Sequence, residues 1–91
     1  MRLKEPDLLE ISKWFETALG RMSKVDRQKK MRMRRKIRDE IYLLLTWERP
    51  TPSMILNRWE ERLSDVLKAL PHDSKDELLK LLLKKMQMPK A

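Results

Sequence analysis

Eight basic side chains lie within the twelve positions from residue 27 to residue 38, and no acidic residue interrupts them. They are Arg27, Lys29, Lys30, Arg32, Arg34, Arg35, Lys36 and Arg38. Ammonium and guanidinium groups at this density attract phosphates and carboxylates. The run therefore predicts contact with nucleic acid, an import receptor or an acidic protein surface. A solvated helix face that binds nothing is the alternative interpretation.

The eight basic residues of this run account for the net charge of +8. Removing its eight residues from the 22 Lys and Arg residues leaves as many basic residues as the 14 acidic ones. No aromatic residue stands within the run to stack on bases, so sequence-specific reading of nucleic acid is the least favoured interpretation.

The sequence has few residues suited to catalysis. His72 is the single histidine, cysteine is absent, and there is one glycine. One histidine without cysteine excludes the usual zinc-binding patterns, and one glycine excludes a glycine-rich phosphate loop. The neighbouring residues His72, Asp73 and Ser74 fit a solvated turn better than a catalytic triad. We therefore expect a protein that is not an enzyme, with no catalytic, metal-binding or cofactor-binding residues, no cofactor and no small-molecule substrate.

The composition predicts an all-α fold, since 40% of the residues are charged and glycine is nearly absent. Asp7, with Glu10 three residues later, suits the start of a first helix that ends near Gly20. Ser23 is the predicted cap of a second helix, which runs to about Arg49.

The prolines mark the remaining boundaries. Thr51 followed by Pro52 predicts the start of a third helix, which Pro71 ends, and Asp73 or Ser74 caps a fourth. We therefore expect a single domain over residues 1–91. It comprises four helices in two hairpins, at residues 7–49 and 54–88, joined by a proline hinge at residues 50–53. Together they form a small bundle, and oligomerisation is one way to complete it.

The apolar residues recur at helical spacing and predict one buried face on each helix. Trp59, Leu63 and Leu67 lie in the middle of the best-defined face. Other large apolar residues fall at the edges of these faces or outside them. We expect four of them to form a partner interface: Trp14, Trp47, Leu81 and Met88.

The unbroken apolar segments are far shorter than a membrane span, and no secretory signal is evident near Met1. We expect an intracellular protein that is not secreted and has no membrane partner.

Residues 7–45 resemble a known module. The resemblance lies in an acidic start, a set of spaced apolar residues, the basic run and a further apolar segment. The quoted positions are Leu8, Leu9, Ser12, Phe15, Leu19, Met22 and Ser23, then Ile37, Ile41, Leu44 and Leu45. This pattern is similar to the BESS motif, a helical module of about forty residues found in insect chromatin-associated and DNA-binding proteins. Residues 56–86 resemble it more faintly.

The BESS resemblance implies a protein–protein interaction module that binds itself or a related helical module in the nucleus. Together with the residue patterns, it favours a non-enzymatic interaction or oligomerisation module of a chromatin- or DNA-associated protein. The alternative is direct, largely sequence-independent binding of nucleic acid through residues 27–38.

Overall fold

A computed structural model describes residues 3–86 of the chain. The all-α prediction is confirmed, since 77% of the structure is helical and no strand occurs in the described part. The helices are α1 (Glu5–Gly20), α2 (Arg27–Thr46), α3 (Pro52–Arg62), α4 (Ser64–Ala69) and α5 (Ser74–Lys85).

Helix α1 begins before the predicted start. Lys4 is its N-cap and Asp7 is its third helical residue, where the Asp7 carboxylate accepts a hydrogen bond from the Lys4 N–H (3.4 Å). Proline is tolerated in the first turn of a helix, so Pro6 does not prevent the earlier start. The predicted Asp7 and Glu10 capping pair is therefore wrong.

Helix α2 is capped by Asp26 rather than by the predicted Ser23. Asp26 has extended backbone angles, and its Oδ1 accepts a hydrogen bond from the Lys29 N–H (2.7 Å). Ser23 lies in the turn between the helices, a connection that also holds the buried Met22. Burying Met22 uses additional residues after α1, which moves the start of α2 toward the C-terminus.

The connection from α2 to α3 is short, since five residues separate Thr46 from Pro52. Helix α2 ends at Thr46, three residues before the predicted end, and Arg49 adopts a positive φ of 51°. The predicted start of the third helix is confirmed, because Thr51 Oγ1 accepts a hydrogen bond from the Met54 N–H (3.1 Å) with Pro52 in the first turn.

The predicted third helix bends at Leu63, which divides it into α3 and α4. Leu63 leaves helical angles (φ −117°, ψ 32°), yet its N–H donates to the Trp59 carbonyl (2.7 Å) and its carbonyl accepts from the Leu67 N–H (2.9 Å). The two segments therefore act as one bent helix. Asp65 holds the first turn of α4, because its carboxylate accepts from the Val66 N–H (3.0 Å) and binds Lys36 of α2 (3.2 Å).

The helices pack in two pairs, α1 with α2 and the bent α3–α4 helix with α5, and α1 also contacts α5. Phe15 of α1 meets Trp59 of α3 edge to face, with ring centroids 5.4 Å apart, so the two pairs share one core. The radius of gyration is 13.0 Å, close to the value of about 12 Å typical of a compact domain of this length.

An ion pair also joins the two helix pairs at the surface. The Lys85 ammonium of α5 lies 2.5 Å from the Glu10 carboxylate of α1. This hydrogen bond lowers the pKa of Glu10 below its ordinary value, because it stabilises the ionised carboxylate.

None of the helices in residues 3–86 is both long and apolar enough to cross a membrane. Within the same residues, no group of three or more His, Asp or Glu side chains is placed to hold a metal ion.

Candidate interaction surface

Helix α2 turns its apolar side to the core and most of the predicted basic run to solvent. Its buried side carries Met33, Ile37, Ile41 and Leu44. The basic side chains between residues 27 and 38 are exposed, except for the half-buried Lys30. Because four apolar residues fix the rotation of α2 about its axis, the cations are held on the solvent side of the bundle.

Two of the eight cations bind carboxylates on neighbouring helices. Arg34 Nε lies 3.0 and 3.2 Å from the two oxygens of Glu16 on α1, and Lys36 Nζ lies 3.2 Å from Asp65 on α4. Asp65 is partly buried and the other three side chains are exposed, so each pair contributes at most about 1 kcal/mol to folding. Their main effect is to reduce the charge available on those two sides of α2.

The other six cations have no ion pair with a carboxylate of the described residues. We call these six the cationic face: Arg27, Lys29, Lys30, Arg32, Arg35 and Arg38. The structure thus presents most of the predicted basic run to solvent without neutralising it.

The α2 helix also contains a buried carboxylate that the sequence did not reveal. Glu40 is only 8% exposed and binds Arg58 of α3 through two hydrogen bonds, of 2.6 and 3.2 Å. The bond to Glu40 raises the pKa of Arg58. Glu40 follows the basic run beside Asp39, and it is buried because Arg58 of α3 lies against it.

A groove of about 470 Å³ runs between α1 and α2. Leu8, Phe15, Ile37 and Ile41 form its buried apolar floor. Leu9 on the α1 side and Tyr42 on the α2 side form its rims. We call this feature the α1–α2 groove.

The two rim residues are unusually exposed for their size. Leu9 is 63% exposed and Tyr42 is 61% exposed. Sequence reasoning missed both as interface residues. The available signal was that Leu9 and Tyr42 each follow a residue of the buried face, Leu8 and Ile41, and so fall outside it.

The residues predicted to form a partner interface lie elsewhere. Trp14, Trp47 and Leu81 are half-buried and pack against the core. Trp14 also meets Phe15 edge to face at 5.1 Å and lines a second depression with Leu81. Met88 lies outside the described residues. The structure brings Trp14 and Leu81 together, while the sequence-distant Trp47 does not line that depression.

Fold and surface together define a small all-α bundle with a cationic helix face beside an apolar groove. No family model matches the chain, and no curated protein or solved structure is significantly similar to it. The resemblance of residues 7–45 to the BESS motif therefore depends on the residues quoted for it.

Proposed function

We propose that this chain is a non-enzymatic helical interaction module that binds another protein, such as a related helical module, or a second copy of itself. The nuclear, chromatin-associated setting implied by the BESS resemblance is part of the proposal. The structural support is the position of the unpaired cations on α2.

The observation that carries the proposal is the placement of cations at the N-terminal end of α2. The first turn contains Arg27 and Lys29 with Lys30 following, and no acidic residue. The N-terminal end of a helix carries a partial positive charge, so cations there are unfavourable by about 0.3–1 kcal/mol each in weakly screened positions. Asp26 is the one acidic residue that opposes this charge at the cap.

A run of unpaired cations in an unfavourable place indicates a role outside folding. An anionic partner would relieve the repulsion among these side chains and with the helix dipole. The exposed rims of the α1–α2 groove add apolar contact area beside that charge, and apolar surface with a polar border is typical of interaction sites.

Site-specific photo-crosslinking in cells of the source organism tests the proposal. A photoreactive residue is placed at Arg35 on the cationic face, at Tyr42 on the groove rim, or at the exposed Lys80 of α5. We expect crosslinked proteins from the two α2 positions and far fewer from position 80. Sedimentation of the purified chain over a concentration series shows whether it also binds a second copy of itself.

The proposal fails if the α2 positions capture no protein beyond the amount captured at position 80 and the purified chain remains monomeric. Correct folding of each crosslinking variant is checked by its helical circular dichroism.

Direct, largely sequence-independent binding of nucleic acid is the second candidate. It is favoured by the six side chains of the cationic face, which are free to neutralise phosphates. Such binding needs local positive charge and no base-specific contacts. Its dependence on salt distinguishes it from protein binding and is considered in the Discussion.

A further inference from the structure

We propose that the α1–α2 groove binds a single amphipathic helix that carries acidic residues beside its apolar side chains. This inference rests on the proposed function, and it specifies the surface and the kind of partner.

The groove has the length of a short helix. Its α2 side extends from Arg34 to Leu45, which are eleven residues apart and so about 16 Å along the helix axis. That distance corresponds to about three turns of a bound helix, enough for apolar side chains at positions i, i+4 and i+7. An extended peptide would cross the same distance with about five residues. It would find no strand edge to pair with among residues 3–86.

The groove is apolar where such side chains would enter. Its floor is made of Leu8, Phe15, Ile37 and Ile41, all nearly inaccessible to solvent. Leu9 and Tyr42 rise on opposite rims. An apolar residue placed between the rims would cover both and remove their exposed surface from water.

The charge around the groove selects the chemistry of the occupant. Arg38 lies on the α2 rim without a carboxylate partner among the described residues, and Arg35 lies one turn away. Arg34 is already bound by Glu16. An acidic side chain next to the apolar residues of a bound helix would therefore meet Arg38, with Arg35 adding attraction.

The groove also has an acidic end, because Glu5 lines it near the start of α1. Acidic residues of the occupant are thus expected near Arg38 rather than at the Glu5 end. A second copy of this chain is a poorer occupant, since it would bring another net charge of +8 to a rim that is already cationic.

A displayed library of helical peptides tests the inference. The peptides are about four turns long, with apolar residues fixed at i, i+4 and i+7 and every other position randomised. Binders are selected on the wild-type chain and depleted on a variant carrying Leu9→Ser and Tyr42→Ser. We expect Asp and Glu to be enriched at the positions flanking the apolar residues at one end of the peptides.

The selected peptide is then measured against matched variants. Arg38→Glu should weaken binding at least about tenfold, which corresponds to about 1.4 kcal/mol. Arg32→Glu makes the same change of charge outside the groove and should weaken binding less than about threefold, the remote effect of one screened charge. Leu83→Ser removes an exposed leucine on α5 and should leave affinity unchanged.

Equal losses from Arg38→Glu and Arg32→Glu would show attraction to general charge and overturn the inference. So would a selection that yields no groove-dependent peptide, or one that enriches Lys and Arg. A chain that dimerises until Leu9→Ser is introduced would make the groove a self-interface and overturn it too. In each case crosslinking at Arg35 still reports separately on the proposed interaction module, so the two failures are distinguishable.

Discussion

Glu40 and Arg58 form the most buried ion pair in the described part of the chain, and the two side chains differ in their access to water. Glu40 has 10% of its side chain exposed, whereas Arg58 has 33% exposed. A charge that loses its partner is more costly where water cannot replace that partner. The stability of the domain should therefore depend more on Arg58, which neutralises the buried carboxylate, than on Glu40.

Replacing Arg58 with Ala should destabilise the domain more than replacing Glu40 with Ala. The first change leaves a buried carboxylate unpaired and should cost about 3 kcal/mol, while the second leaves a guanidinium that can turn toward water. Urea unfolding of both single variants and the double variant measures the difference. The double variant should lose less stability than the two single losses added together. Additive and equally small losses would contradict the role assigned to the pair.

Leu63 tests the core at the residue where the helix bends. Its side chain is fully buried, so Leu63→Ala should lower the free energy of unfolding by about 2–5 kcal/mol through lost burial and a residual cavity. Leu83→Ala is the matched control, because that leucine is largely exposed and should change stability by less than about 0.5 kcal/mol. A Leu63 variant that melts like the wild-type chain would show that this face is not interior.

Among the helices, the start of α2 offers a direct test of which residue forms the cap. Both Ser23 and Asp26 are good capping residues, and the structure assigns the cap to Asp26. We expect Asp26→Ala to cost about 1 kcal/mol, because the Lys29 N–H loses its acceptor and the cationic first turn loses its one opposing charge. Ser23→Ala should stay within about 0.5 kcal/mol. Thermal unfolding of the two variants decides between the caps, and a larger loss from Ser23→Ala would contradict the observed helix start.

At the scale of the whole molecule, the net charge of +8 is concentrated in residues 27–38, on the exposed sides of one helix. A ligand held by general attraction would respond to total charge, whereas one held by the cationic face would respond to particular side chains. Arg32 and Arg35 are exposed and without an ion-pair partner in the described residues. Lys36 is unsuitable for such a test, because it binds Asp65 and links α2 to α4.

The affinity for duplex DNA at several salt concentrations tests the second candidate function. Each phosphate contact should contribute a slope of about −0.9 to the plot of log K against log salt. We expect weak, salt-sensitive and sequence-indifferent binding at most, which Arg32→Glu with Arg35→Glu would abolish. Lys75→Glu with Lys80→Glu makes the same change in the net charge of the chain, but on α5, and should retain most of that binding.

Tight, sequence-selective binding that survives moderate salt would overturn the interaction-module proposal. Equal losses from the two double variants would instead show that DNA responds to the total charge and not to the cationic face.

The sequence by itself determined the all-α class, the apolar face of the third predicted helix and the Thr51 cap. Each of these depends on residues within a few positions of one another, so helical spacing and local hydrogen bonding are sufficient to predict them. Trp59, Leu63 and Leu67 were predicted as core for this reason, and all three are buried.

The remaining features, from the cap of α2 to the α1–α2 groove, were decided only by the tertiary structure. Asp26 rather than Ser23 caps α2, and Glu40 is buried because α3 places Arg58 beside it. The bend at Leu63 has no proline or glycine to mark it. The α1–α2 groove likewise arises from the distance between two helices. These features depend on which faces meet across the chain, and contacts between sequence-distant residues leave no periodic pattern in the sequence.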